Sequence, residues 1–448
     1  MSATPARKLR VAFATLGCKV NQYDTATMET ALRARCELVP FAAGADVYVV
    51  NSCTVTDRAD AESGQLARRA RRLNPAGRVV LTGCFAQTSP QRAALPEVDY
   101  VIGVSRLPDL LRAVHDQIPA DEGRVFVDNL RKAEHVTTLG ADVFAGHTRA
   151  FLKVQEGCDL FCSFCIVPTA RGRSRSVPPR RVLDELQRLA TRGFQEVVLS
   201  GIHLGGYGRD LDPPLPLAEL VEMIAESALL PRIRLSSIDP PEITPRLLEI
   251  MRRSAVLCDH LHVPVQAGAD PVLRRMRRQY DTALLRDVSA EIRRALPGAA
   301  LGTDVIAGFP GESDADAEAT LGLLAETAFT YFHVFPYSRR SGTTAAKATD
   351  QRPDAVIRAR AEALRQLGAA KRRAFAAAHV GAALEVLVER RRDRASGRLT
   401  GYSRNYLRTL LDGPDGLVNR IVRVRATAQQ DDRLLAALES ESDVVAAS

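Results

Sequence analysis

The chain has 448 residues, 46% hydrophobic and 25% charged, an ordinary globular balance with room for about two to four domains. No apolar run reaches 18 residues and the N-terminus lacks a leader-like apolar stretch, so no membrane partner is expected and the protein reads as cytoplasmic. Eight cysteines are too sparse for a disulfide scaffold, and the net charge of +8 favours a polyanionic partner.

Residues from about 9 to 118 alternate short apolar runs with polar stretches of helical spacing. RVAFATLGC, DVYVVNSC and RVVLTGC each end in a small residue and a cysteine. Such alternation predicts a parallel α/β sheet. Its strand C-termini share one edge, so Cys18, Cys53 and Cys84 are expected to converge there. Two readings stay open on the residues alone: ligands of a metal cluster, or three buried core cysteines.

Residues 119–147 are polar, mixed and Gly-containing, which reads as a linker. From about 148 to 370 the alternation resumes. FLKVQEG, EVVLSG, RIRLSSI, HLHVPVQ, LGTDVIAGFP and FTYFHVFPYS are strand candidates, with helical PPRRVLDELQRLATRG and DADAEATLGLLAETA between them. Six such units predict a full or partial (β/α) barrel or a doubly wound sheet.

Near the start of this block Cys158, Cys162 and Cys165 form a C-x₃-C-x₂-C motif. Three thiolates within eight residues can wrap one face of an iron–sulfur cube and leave one iron open. That open iron can chelate the amino and carboxylate groups of S-adenosylmethionine, whose S–C5′ bond then breaks reductively. Zinc fits less well, because a structural zinc site takes four ligands and no nearby Cys or His completes this one.

At strand ends, Gly201 is expected to let the backbone approach the cofactor, or simply to make a βα turn. Asp304 and Gly308, in the run DVIAGFPG, fit a backbone contact to adenine. Ser237, His262 and Gln266 also lie near strand ends, but lone polar groups there are more often satisfied core residues, so none is assigned as catalytic. Arg171, Arg173 and Arg175 follow the three-cysteine motif, as phosphate contacts or as a solvated loop. Cys36 and Cys258 stand outside both cysteine sets and read as core or helix-surface residues.

Residues from about 376 to 440 read as short antiparallel strands with Gly-containing turns, a small β-barrel. Between 381 and 426 ten arginines face five acidic residues, a net charge of +5, with Tyr402 and Tyr406 interleaved. This combination suits an RNA backbone with stacked bases, and Arg404 and Arg408 are expected on phosphates. The alternative is a structural cap.

FLKVQEGCDLFCSFCIVPTARGRSRS, LSGIHLGGYGRDL, RLSSIDPPEI, HLHVPVQAGADPVLRRMRRQY and TDVIAGFPGES together resemble the radical SAM methylthiotransferases, in the right order from about residue 9 to 430. The resemblance implies an N-terminal α/β domain (9–118), a radical SAM partial barrel (144–372) and a C-terminal TRAM RNA-binding barrel (376–440). It implies two [4Fe–4S] clusters, one on each cysteine triplet, because TLGCKVNQYD, VVNSCTVTDRAD and LTGCFAQ match the segments that carry the family's auxiliary cluster. It also implies S-adenosylmethionine as cofactor, the tRNA anticodon stem-loop as partner, a sulfur donor, and an electron donor such as flavodoxin or ferredoxin.

The wording around Cys18 resembles the branch that methylthiolates C2 of N6-threonylcarbamoyladenosine-37. Sister branches act on isopentenyladenosine-37 or on a ribosomal-protein aspartate. A non-catalytic RNA-binding redox sensor fits the intact cofactor motifs poorly. The threonylcarbamoyl carboxylate calls for a cation or amide near the cysteines, with Lys19, Asn21, Arg171 and Arg173 as candidates. Departures from the family pattern are Asp159 for Asn, Asp239 for Glu, and the absence of prolines in Ser338–Thr344.

Overall fold

In a computed structural model the described residues are 7–133, 136, 140–141, 144 and 146–439. Contacts sort them into two compact units: one within Met1–Ala145, Glu156–Arg175 and Ser338–Thr343, the other within Gly146–Gln155, Ser176–Tyr337 and Thr344–Ser448.

The first unit is built on six parallel strands: β1 (Leu9–Thr15), β2 (Cys36–Val39), β3 (Val47–Ser52), β4 (Arg78–Gly83), β5 (Tyr100–Ile102) and β6 (Val125–Phe126). Their order across the sheet is β2-β1-β3-β4-β5-β6. β3 is buried along its whole length, which explains its unbroken apolar run: helices cover both of its faces. The helix Asp57–Leu73 starts where the Thr56 hydroxyl accepts from the Ala59 amide, with Asp57 and Asp60 in its first turn and Arg71 and Arg72 in its last. Those charges complement the helix dipole. The chain leaves β1 toward β2 and returns on the other side as β3. The topological switch point is therefore the crevice between the C-terminal ends of β1 and β3. β6 lies inside the stretch that reads as a linker, and part of that stretch falls outside the described residues. Cys36 is a buried strand residue in the core under this sheet.

The strands of the second unit follow, with two short ones, β8 (Gln155–Glu156) and β9 (Arg175–Ser176), at its chain boundaries. β7 (Ala150–Lys153), β10 (Glu196–Ser200) and β11 (Arg232–Leu235) form one parallel sheet. β12 (His260–His262), β13 (Ala300–Ala307) and β14 (Tyr331–Pro336) form another. Parallel bridges Ile233–Leu257 and Ser237–His262 join them, giving an open six-stranded arc, the partial barrel. The helix Asp314–Glu326 begins with a capping box of Ser313 and Asp316.

The C-terminal strands β15 (Ala383–Arg392), β16 (Leu399–Ser403), β17 (Arg408–Leu411), β18 (Ile421–Gln430) and β19 (Arg433–Leu438) close into a barrel of order β15-β16-β17-β19-β18. The sequence suggests an all-antiparallel barrel, but β17 and β19 pair in parallel. An odd ring requires this, because strand direction cannot alternate all the way round five members. The expected end of this domain at 440 lies outside the described residues. Among the described residues, no helix is long and apolar enough to cross a membrane.

Candidate metal centres

The three N-terminal cysteines sit at the C-terminal ends of adjacent strands. Cys53 follows β3 directly, Cys84 follows β4 directly, and Cys18 lies three residues beyond β1 as the N-cap of the helix Lys19–Leu32. Two glycines make the approach possible. A Cβ on Gly17 would stand 2.9 Å from both Cβ and Sγ of Cys53. Gly83 has φ +91°, and its Cβ would fall 2.4 Å from Asn51 Oδ1 and the Ser52 carbonyl. Burial pushes the Cys84 thiol up to about 12, and negative charge on Cys18 or Cys53 opposes its ionisation further, so the three sulfurs share one electrostatic environment. Cys53 is raised by burial too, against amides of Val55 and Thr54 that favour its thiolate.

Polar side chains lock these loops together. Asn21 Nδ2 donates to the Leu16 carbonyl at 2.8 Å and the Ser52 carbonyl at 3.0 Å. Asn51 Nδ2 donates to the Asn21 carbonyl at 2.9 Å. Ser52 Oγ accepts from the amides of Phe85 (3.2 Å) and Ala86 (3.4 Å), capping the short helix that Cys84 begins. Arg340 is buried beside Cys53, with Nη2 on Thr54 Oγ1 at 2.6 Å and on Asp60 at 2.9 Å. It stands in the segment where relatives carry prolines.

The three-cysteine loop belongs to this same unit rather than to the arc. Its base is pinned by Cys158 N donating to the Gly172 carbonyl at 3.1 Å, and its end by Cys165 N on the Cys162 carbonyl at 3.0 Å. Gly157 (φ +76°) is obligatory there, since a Cβ would strike the Arg173 carbonyl at 1.9 Å. Phe161 adopts φ +47° between the first two cysteines and is 46% exposed, a turn that curls the loop on itself.

Arg171 corrects both sequence expectations for it. It is neither solvated nor available to phosphate: its side chain is 1% exposed, with Nη1 2.6 Å from Asp24 and 2.6 Å from Glu156. Nε donates to Cys84 Sγ at 3.3 Å, and Nη2 donates to Asn21 Oδ1. Burial alone would lower the Arg171 pKa, but Cys84, Asp24 and Glu156 raise it well above the usual value. Arg175 is also buried, donating to the Arg171 carbonyl. Arg173 is 62% exposed and pairs with Asp159, the residue that replaces the family's Asn. Of the four candidates for a substrate carboxylate, Asn21 and Arg171 are thus committed internally, and Arg173 keeps an exposed cation.

The expected cofactor residues lie in the second unit. Gly201 follows β10, and a Cβ there would meet Gln155 Oε1 at 2.9 Å. The Gly308 amide donates to Glu312 Oε2 at 2.9 Å, and Ile357 fills the space a Cβ would need. Asp304 accepts from His262 at 2.9 Å and His333 at 3.3 Å, and although burial opposes ionisation, these imidazoles hold its carboxyl well below the usual range. His262 is 5% exposed and also reaches the Tyr331 hydroxyl at 3.3 Å, a satisfied core group. Gln266 donates its amide to the Asp304 carbonyl, and Asp239, where relatives have Glu, pairs with Arg278 at 2.7 Å. Among the described residues, only His262, Asp304 and His333 place three donor atoms within 4.8 Å of one another.

The C-terminal basic residues divide. Arg404 donates to the carbonyls of Ala255 (2.7 Å) and Leu257 (2.6 Å), so it anchors the barrel instead of meeting phosphate. Tyr402 and Tyr406 stack on each other at 4.9 Å beneath Arg149 and Arg234. Arg408 lies 3.4 Å from Asp393. Arg394, Arg420 and Arg423 are exposed.

The donor set fits iron–sulfur clusters: six cysteines in two triplets within one unit, with a buried guanidinium on one sulfur to offset cluster charge. Residues 152–324 match the Radical SAM superfamily, and residues 10–103 match a family described as Uncharacterized protein family UPF0004. Threonylcarbamoyladenosine tRNA methylthiotransferase MtaB of Bacillus subtilis (strain 168) is 39% identical over 93% of this chain and 93% of its own. The chain belongs to the radical SAM methylthiotransferase family. A radical SAM domain implies a [4Fe–4S] cluster and S-adenosylmethionine. Another methylthiotransferase, tRNA-2-methylthio-N(6)-dimethylallyladenosine synthase of Moorella thermoacetica, is 34% identical over 93% of this chain and 95% of its own. Among solved structures, the radical S-adenosylmethionine methyltransferase TsrM from Kitasatospora setae shares the fold at TM-score 0.54 and 17% identity, covering 74% of this chain and 77% of its own.

Proposed function

We propose that this methylthiotransferase acts on tRNA, replacing the C2 hydrogen of N6-threonylcarbamoyladenosine-37 with a methylthio group. The observation that carries the branch is that relatives named for this nucleoside reach 39% identity, while those named for dimethylallyladenosine reach 34%. Cys158, Cys162 and Cys165 hold the cluster that binds S-adenosylmethionine; Cys18, Cys53 and Cys84 hold a second. Gly201, Asp304 and Gly308 face the cofactor. When bound, the first cluster supplies the electron that cleaves S-adenosylmethionine to a 5′-deoxyadenosyl radical. The chain's own contribution is positional: the pinned loop fixes three thiolates, and the Asn21–Asn51–Ser52 network ties together the ends of β1, β3 and β4 that carry the other three. The domains are assigned as 9–118, 144–372 and 376–440. A sulfur donor and a flavodoxin- or ferredoxin-like electron donor serve the reaction in the cytoplasm.

Mass spectrometry of tRNA nucleosides tests the branch. Deleting the gene is expected to remove 2-methylthio-N6-threonylcarbamoyladenosine and leave 2-methylthio-isopentenyladenosine intact. Loss of the isopentenyl nucleoside instead would assign the sister branch.

The closed barrel fits a TRAM domain that grips the anticodon stem-loop, using exposed arginines rather than Arg404. Replacing Arg420 and Arg423 with alanine is expected to lower the slope of log affinity against log salt by roughly one to two units. An unchanged slope would return the barrel to a capping role.

A further inference from the structure

Arg171 ends the helix Val167–Arg171, six residues beyond Cys165 in the chain, yet its guanidinium reaches the other cysteine set. All three of its nitrogens are engaged: Nε on Cys84 Sγ at 3.3 Å, Nη1 between Asp24 and Glu156, and Nη2 on Asn21. Two carboxylates on Nη1 are more than charge balance requires. Their effect is orientational: they clamp one edge of the planar fork so that the Nε–H points at sulfur, which a flexible ammonium could not do as specifically. Asn21 adds a third restraint, and its own amide is tied to the loops that carry Cys18 and Cys53. The segment that supplies ligands for one centre thus delivers a cationic donor to a ligand of the other.

We propose that Arg171 is a positioning residue for the N-terminal iron–sulfur centre, holding the Cys84 sulfur by a charged hydrogen bond and raising that centre's reduction potential. This rests on the two-centre reading above. A donor on a ligating sulfur stabilises the more negative, reduced state of a cluster, and burial keeps water from screening it. Removing the donor also leaves Asp24 and Glu156 facing the centre, which pushes the potential the same way.

The test uses the full chain with Cys158, Cys162 and Cys165 changed to alanine, so that only the N-terminal centre contributes to the signal. After anaerobic reconstitution, iron analysis and a redox titration followed by electron paramagnetic resonance are compared with and without Arg171 substitutions. Arg171→Met with about four irons is expected to lower the midpoint so that the reduced-to-oxidised ratio at fixed poise changes roughly tenfold, about 59 mV for one electron. Arg171→Lys, which keeps the charge, is expected to shift it less. Full iron at an unchanged midpoint in Arg171→Met overturns the proposal. If Arg171→Met loses its iron, Arg171→Lys decides: iron kept at a lowered midpoint supports the proposal, whereas iron lost, or kept at an unchanged midpoint, overturns it. Absence of iron in the triple-alanine parent would instead overturn the two-centre reading.

Discussion

Changing Cys158, Cys162 and Cys165 to alanine is expected to abolish 5′-deoxyadenosine formation and halve the iron bound. The reconstituted wild-type chain should carry about eight irons, because each cube holds four. These three cysteines lie on one loop, pinned at Cys158 and closed at Cys165, and no residue of the other triplet belongs to that loop. Changing Cys18, Cys53 and Cys84 should also halve the iron but leave cofactor cleavage, while ending methylthio transfer. Iron analysis and chromatography of 5′-deoxyadenosine separate the two outcomes. Full iron surviving the second triple change would show that the strand-end cysteines are core residues after all.

The second large effect is on stability. Glu196 opens β10 with no solvent exposure and faces three guanidinium groups: Arg234 at 2.8 Å, Arg232 at 3.9 Å and Arg149 at 4.0 Å. Glu196→Gln removes the carboxylate shared by this group and takes the charged partner from buried Arg234, while Arg149 keeps Glu389 and Arg232 keeps Glu385, at an expected cost of about 3–5 kcal/mol in denaturant unfolding. A loss below about 1 kcal/mol would mean that water reaches these arginines. Burial pulls the Glu196 carboxyl up, but Arg234, Arg149 and Arg232 outweigh it, so its folded pKa is lowered. A lowered folded pKa means that the stability it contributes is complete above the ordinary Glu value of about 4.3. It is lost as pH falls through the lower folded value. In Glu196→Gln that acid-dependent component should vanish from the stability–pH curve.

The same cluster shows why basic residues are hard to assign from sequence. Arg404 lies between Ser403 and Asn405 and Arg423 between Val422 and Val424, and neither pair of neighbours says which arginine is anchored. One donates to carbonyls near β12, and the other points outward from β18. An arginine's environment is set by elements distant in sequence, and Ala255 and Leu257 lie about 150 residues from Arg404. Arg171 is the same case at the metal centre. Its partners Asp24 and Cys84 come from the helix Lys19–Leu32 and from the end of β4, so nothing within its own segment signals burial.

What the sequence determined by itself was whatever depends on short spacing or on strand period. The C-x₃-C-x₂-C motif fits a cube because three ligands within eight residues need only one loop. Apolar runs placed β1, β3 and β4, and with them the cysteines that follow. Tertiary structure decided the rest. The sheet order 2-1-3-4-5-6 set Cys18 and Cys53 across a switch point, since only the crossover from β2 to β3 opens that crevice. Folding also assigned the three-cysteine loop to the same compact unit as the N-terminal sheet, although in the chain it lies between the arc strands β7 and β10. It forced one parallel pair into the terminal barrel, because ring closure constrains strand direction in a way that no local run of residues encodes.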